Sequence, residues 1–156
     1  MLLEAWADAA FMSDVKCRSR SGGVVKMCGG VVATMSSKQK ILTKSSTEAE
    51  LVALGAMVQW VVICRAFLRE QGHVMPTTVV HQDNRSVLAM VKAGKPSGHK
   101  SKHIDLRYFV VSELVADGEM VLVWCDTKEM LADALSKGLM GQAFSYTRDG
   151  LVSRVC

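Results

Sequence analysis

From Ser45 to Gln71 the chain contains no proline and a single glycine, Gly55, and this stretch constrains the fold more than any other. Ser45-Ser46-Thr47-Glu48 supplies the hydroxyl and carboxylate that open a helix, and Gly72 supplies its stop. At about 100° per residue, Glu48, Gly55, Gln59, Arg65 and Glu70 fall on one stripe, the expected solvent face. Glu50 projects about 200° from Glu48 on the same wheel, sharing its side with Leu54, Met57, Val61 and Leu68. An unpaired charge buried there costs several kcal/mol. Glu50 therefore has to be paired, protonated or bound to a metal, unless its place in the first turn lets it reach water or favour the helix dipole. The most apolar part of the stretch, Ala56 to Leu68, is broken by Gln59 and Arg65 and reads as too short to span a bilayer.

Strand patterns flank this helix. Ala5 to Ala9 reads as a short strand with Trp6 and Asp8 on one face, and Gly22–Lys26 and Val31–Met35 as a hairpin around Met27-Cys28-Gly29-Gly30. After the helix come a strand over Thr77–Gln82, a helix over Arg85–Lys92, and a loop at Gly94-Lys95-Pro96-Ser97-Gly98. A helix from Ile104 to Ala116, closed by Gly118, leads to a strand over Met120–Cys125 and a short helix over Lys128–Ser136 capped by Thr127. Three antiparallel strands followed by alternating helices and strands predict an α/β fold with a mixed sheet covered by helices. One domain is expected over residues 1–139, with 140–156 a weakly patterned tail.

Composition narrows the function classes. Hydrophobic residues make up 49% of the 156, with only two prolines, so a buried core is expected over most of the length. A formal charge of +4 permits a polyanionic partner without demanding one. The five cysteines are odd in number and scattered, with no C-x-x-C pair, which argues against a disulfide framework or a thiolate zinc site and suits an intracellular, cytoplasmic compartment. Met1-Leu2-Leu3-Glu4 shows neither a basic nor a long apolar leader segment, and no membrane partner is expected.

Three further acids stand out beside Glu50. Asp83 follows the Thr77–Gln82 strand, at the carboxyl end where ligands gather in open α/β sheets, or else it caps the next helix. Asp8 lies within a strand, where aspartate is depleted, or marks that strand's end. Asp133 sits in Leu131-Ala132-Asp133-Ala134-Leu135, between apolar neighbours, or borders their solvent side. A second feature is the basic segment Lys95-Pro96-Ser97-Gly98-His99-Lys100-Ser101-Lys102-His103, which leads into a helix carrying Arg107. It reads as a phosphate-tracking segment or as an ordinary solvated loop.

These residues occur within a larger set of motifs: Ala7-Asp8-Ala9, Arg18-Ser19-Arg20-Ser21-Gly22, Ser36-Ser37-Lys38-Gln39, Ser45-Ser46-Thr47-Glu48-Ala49-Glu50-Leu51, Gln82-Asp83-Asn84, Lys102-His103-Ile104-Asp105-Leu106-Arg107-Tyr108 and Leu131-Ala132-Asp133. In this order and spacing the sequence resembles the ribonuclease H domain of copia-type LTR retrotransposon Pol polyproteins over about residues 5–139. The resemblance implies a five-stranded mixed sheet with helices on both faces. It also implies an endoribonuclease that hydrolyses the RNA strand of RNA–DNA hybrids by two-metal-ion catalysis. Asp8, Glu50, Asp83 and Asp133 would be the catalytic carboxylates and metal ligands, holding two Mg²⁺ ions that Mn²⁺ should replace. Lys95, Lys100, Lys102, His103, Arg107 and Asn84 would contact the nucleic acid. The implied partners are the hybrid and the reverse transcriptase domain of the same polyprotein, and the implied location is a retroelement particle. The sequence also departs from the family. The loop Cys125-Asp126-Thr127-Lys128 lacks the histidine many ribonucleases H carry there. Ala10, Met35 and Phe109 stand where copia elements often have an acid, a tryptophan and a histidine. The alternatives are a nucleic-acid-binding remnant with little catalysis, and a metal nuclease of the same fold acting on DNA.

Overall fold

Alternation along strand β1 (Leu3–Ala10) divides the molecule into two layers. Leu3, Ala5 and Ala7 join one apolar cluster and Trp6 joins another, so the two faces of one strand support two separate cores. The computed structural model describes residues 2–94 and 102–152, the side chains of Lys102 and His103 excepted. Strands β2 (Arg20–Met27) and β3 (Gly30–Lys38) form a hairpin whose two-residue turn is Cys28-Gly29, both with positive φ (50° and 83°). That is the turn whose twist matches paired strands, and it sits one residue earlier than the Gly-Gly pair. With β4 (Thr78–Gln82) and β5 (Met120–Trp124) the sheet order is β3-β2-β1-β4-β5. The first three strands are antiparallel and β1, β4 and β5 are parallel. The expected five-stranded mixed sheet is therefore present.

Helix α1 (Ser46–Glu70) covers the first face, with α2 (Arg85–Lys92) and α3 (Lys102–Ala116) beside it. Local chemistry sets both of its ends. Ser45 Oγ accepts from Glu48 N at 3.2 Å, and Glu48 Oε2 accepts from Lys44 N at 2.8 Å. At the other end Gly72, at φ 84°, lets His73 N donate to Leu68 O and Gly72 N to Arg69 O. The alanines of β1 let α1 approach closely, with Ala9 packed against Ala49 and Ala53. By length and composition α1 could cross a membrane, a longer apolar span than Ala56–Leu68 suggested. Here its buried residues lie in the core over the sheet.

The solvent stripe expected on α1 is wrong at two positions. Gly55 and Arg65 are buried because α3 and the loop before β4 cover a second flank of the helix. At Gly55 a β-carbon would meet the Arg107 side chain at 3.0 Å, so the glycine admits the aliphatic stem of Arg107. Arg65, 4% exposed, donates to Glu119 Oε2 at 2.6 Å, Pro76 O at 2.5 Å and Thr78 Oγ1 at 2.8 Å. Arg69 donates to both Glu119 oxygens. Arg65→Ala strands these acceptors and should cost about 3 kcal/mol, roughly 6–12 °C in Tm for a chain of this size. Arg69→Ala, at a half-exposed position, should cost under about 1 kcal/mol. Equal melting temperatures for the two variants would show that the buried network does not anchor α1.

On the opposite face, Trp6 and Val24 pack against Cys125, Met130, Leu131 and Ala132. This packing overrides the single helix expected over Lys128–Ser136. A 3-10 turn spans Thr127–Glu129, capped by Asp126 rather than Thr127. Met130 is extended, so that Met130-Leu131-Ala132 seats on the sheet, and α4 (Asp133–Ser136) follows. The stretch from Gly138 onward, weakly patterned in sequence, contains α5 (Gly141–Leu151), whose Leu151 packs on the same cluster. Helices thus lie on both faces of the sheet.

Candidate metal centre

The site forms where β1 and β4 run side by side. Glu4 pairs with Val79 and Trp6 with His81, so carrying the register on by two residues brings Asp8 level with Asp83. Glu50 comes from the first turns of α1. Gln39 holds that end of the helix, its Nε2 donating to Ala49 O and Ser21 Oγ at 2.9 Å each. Asp8, Glu50 and Asp83 each present an oxygen within 4.8 Å of the other two.

Asp133 enters from the other face. Gly22 pairs with Asp8 across β1 and β2, and a β-carbon there would stand 2.5 Å from Ala132 O and 2.8 Å from Ser136 N. The missing side chain lets the α4 backbone rest directly on the strand. Ser136 Oγ then donates to Asp8 Oδ2. Lys137 Nζ lies 2.8 Å from Asp133 Oδ1 and 3.3 Å from Asp8, joining the fourth acid to the first. Asp83 is not the cap of α2. Asn84 takes that role, its Oδ1 accepting from Ser86 N and Val87 N, while Asp83 Oδ2 accepts from Thr127 Oγ1 at 3.0 Å.

Burial makes this cluster electrostatically costly. Burial first, then the charges of Asp8 and Asp83, push the Glu50 carboxyl up to about 9, against a backbone hydrogen bond from Ala9 and the Lys137 charge. Burial also pushes Asp133 up to about 6, although its hydrogen bond from Lys137 works the other way. Burial opposes the charge on Lys137, yet its hydrogen bond to Asp133 and the Asp8 charge hold the ammonium above the ordinary lysine range. Glu50 Oε2 is buried with no hydrogen-bond partner among the described residues. An orphaned carboxylate oxygen facing two more carboxylates is a hard, anionic donor set, and these residues fit a divalent cation such as magnesium.

The residues expected to contact nucleic acid are not all gathered here. Lys95 and Lys100 lie outside the described residues. Lys102 and His103 open α3, with their side chains also outside them. Arg107 lays its stem on Gly55, and Asn84 is a helix cap beside Asp83. Sequence reasoning gave no place in the site to Ser136, Lys137 or Gly22, and read Thr127 only as a helix cap. Only Lys137 carried a local signal, four residues after Asp133 at the spacing of helical ion pairs.

In fold, the molecule is a ribonuclease H-like α/β domain. It superposes on the N-terminal ribonuclease H domain of a Mycobacterium tuberculosis protein with a TM-score of 0.64 at 18% identity, covering 90% of this chain and all (100%) of that one. LC11-RNase H1, solved in complex with an RNA/DNA hybrid, gives a TM-score of 0.60 at 14% identity over 85% of this chain and 92% of that one. No protein-family model matches the chain. In sequence, it is 29% identical over 149 residues, 95% of the chain, to the retrovirus-related Pol polyprotein from transposon TNT 1-94 of Nicotiana tabacum. It is 33% identical over 148 residues, 91% of the chain, to that from transposon RE2 of Arabidopsis thaliana. The chain spans 11% and 10% of the length of these two relatives. Sequence and fold together match it to the ribonuclease H domain of copia-type retrotransposon Pol polyproteins.

Proposed function

We propose that this chain is a metal-dependent endoribonuclease that hydrolyses the RNA strand of RNA–DNA hybrids, with Asp8, Glu50, Asp83 and Asp133 as its metal ligands. The observation that carries this reading is the convergence of Asp8, Glu50 and Asp83, each with an oxygen within 4.8 Å of the other two, together with a buried Glu50 oxygen that has no hydrogen-bond partner among the described residues. Magnesium ions bound there supply Lewis acidity to the phosphodiester, and Mn²⁺ replaces them. The chain's own residues keep the ligands in position: Ser136 orients Asp8, Thr127 orients Asp83, and the Gln39 contact fixes the helix turn that carries Glu50. Thr127 comes from the loop that lacks a histidine, so this loop positions a ligand rather than moving a proton.

Selection of the RNA strand rests on its 2′-hydroxyls, reached across a wide minor groove. Lys95, Lys100, Lys102, His103 and Arg107 track the phosphate backbone from the segment around the start of α3. The structural neighbour solved with a hybrid supports this substrate class. The polyprotein relatives support a reverse transcriptase domain as partner and an intracellular retroelement particle as location.

The test is cleavage of matched hybrid, RNA duplex and DNA duplex, with and without Mg²⁺. Metal-dependent cutting confined to the RNA strand of the hybrid is expected. In the same assay, Lys100→Ala with Lys102→Ala should weaken hybrid binding and flatten its salt dependence by roughly one unit of slope per lost phosphate contact. Cleavage of the DNA duplex instead, or none with either metal, would remove the reading, and an unchanged salt slope would remove the basic segment from it.

A further inference from the structure

The four acids do not form one equivalent ring. Asp8, Glu50 and Asp83 offer mutually close oxygens, and Asp133 is absent from that group. The Lys137 ammonium bridges Asp133 and Asp8, 2.8 Å from Asp133 Oδ1 and 3.3 Å from both oxygens of Asp8, beside a direct contact between the two carboxyls. Lys137 ends α4, its backbone N–H bonded to Asp133 O, so the side chain leaves the helix four residues beyond the acid it pairs with. The seat between the two aspartates thus holds a positive charge supplied by the protein. The Lys137 side chain is 37% exposed, against 1% for Asp8, so the lysine lies on the solvent side of the pair.

We infer that Lys137 is a built-in counter-ion occupying the seat between Asp8 and Asp133, so that divalent cations enter this site in a fixed order. The first fills the open position among Asp8, Glu50 and Asp83. The second requires Lys137 to swing out, because it needs Asp133 Oδ1, which the ammonium holds at 2.8 Å, whereas the contacts to Asp8 are longer at 3.3 Å and leave that carboxylate able to meet the first cation. Lys137 is accordingly a positioning residue that sets the affinity of the second cation and holds Asp8 and Asp133 together until it arrives. The inference rests on the metal-binding reading above.

The experiment is calorimetric titration of the purified chain with Mn²⁺ alone, on the parent, Lys137→Met and Lys137→Arg, without nucleic acid. The parent should show one tighter and one weaker class of site. Lys137→Met should tighten the weaker class by roughly fivefold to tenfold, the scale of one close and partly exposed charge contact. Lys137→Arg, which keeps the charge, should leave it weak. Melting curves in a chelator check folding, and Lys137→Gln, which retains a donor for Asp133, replaces Lys137→Met if that variant does not fold. An unchanged weaker class in the neutral variant, or tightening in Lys137→Arg of the same size, overturns the counter-ion role while leaving the metal site intact. Absence of Mn²⁺ binding to the folded parent overturns the metal reading itself.

Discussion

Glu50→Gln is expected to melt higher than the parent chain in the absence of metal and to cut hybrid more than about 100-fold more slowly in its presence. The two effects share one cause. Burial and the neighbouring Asp8 and Asp83 charges raise the folded Glu50 carboxyl from its ordinary 4.5 to about 9. Between those values the folded chain holds a proton that the unfolded chain releases. Without metal, stability therefore falls as the pH rises through that window, by up to about 1.4 kcal/mol per pH unit from this group. Glutamine removes the penalty, and each kcal/mol regained is worth about 2–4 °C. With Mg²⁺ the same change would delete one of the proposed charged ligands. Glu48→Gln is the control, since glutamine serves equally in the helix cap, and it should alter stability by no more than about 0.5 kcal/mol. Melting curves of both variants from pH 5 to 9 in chelator, paired with cleavage rates, decide the matter. Loss of activity in Glu48→Gln with activity spared in Glu50→Gln would reverse the assignment.

Gly22→Ala should be nearly as damaging although residue 22 carries no chemistry. Its new methyl would stand 2.5 Å from Ala132 O and 2.8 Å from Ser136 N, both backbone atoms with little freedom to yield. The α4 backbone has to lift, taking with it Asp133, Ser136 and Lys137. Overpacking of this kind costs about 1–3 kcal/mol, and a displacement near 1 Å at a catalytic group is worth about 100-fold in rate. Gly23→Ala is the matched comparison: its methyl meets the flexible side chain of Met57 on the other face of the sheet. It should leave cleavage within a few-fold of the parent. Equal activity in the two variants would show that α4 does not depend on contact with β2 for its position.

What the sequence made legible follows from the range of the interactions involved. The ends of α1 were readable because Ser45, Glu48 and Gly72 act on backbone groups a few residues away. The four acids were singled out because the motifs of the family resemblance fell on them, and the fold brings the oxygens of Asp8, Glu50 and Asp83 together. Gly55 and Arg65 were misassigned because a helical wheel knows polarity, while burial is decided by α3 and by Glu119, 54 residues beyond Arg65. The break between Thr127–Glu129 and α4 was invisible for the same reason: Met130-Leu131-Ala132 takes its conformation from Trp6 and Val24. Gly22 resembled any strand glycine until the backbone resting on it was seen. Lys137 needed no distant information, only the spacing from Asp133.

The link between Ser136 and Asp8 spans 128 residues. In time, that makes the centre a late product of synthesis. Asp8, Glu50 and Asp83 all precede α4 in the order of synthesis, and Ser136 and Lys137, which contact Asp8, follow them. The three acids are therefore synthesised before the lysine that pairs with Asp8 and Asp133. On the proposed metal-binding reading, divalent ions present during translation would bear on folding as well as on cleavage, by neutralising these acids before α4 is made.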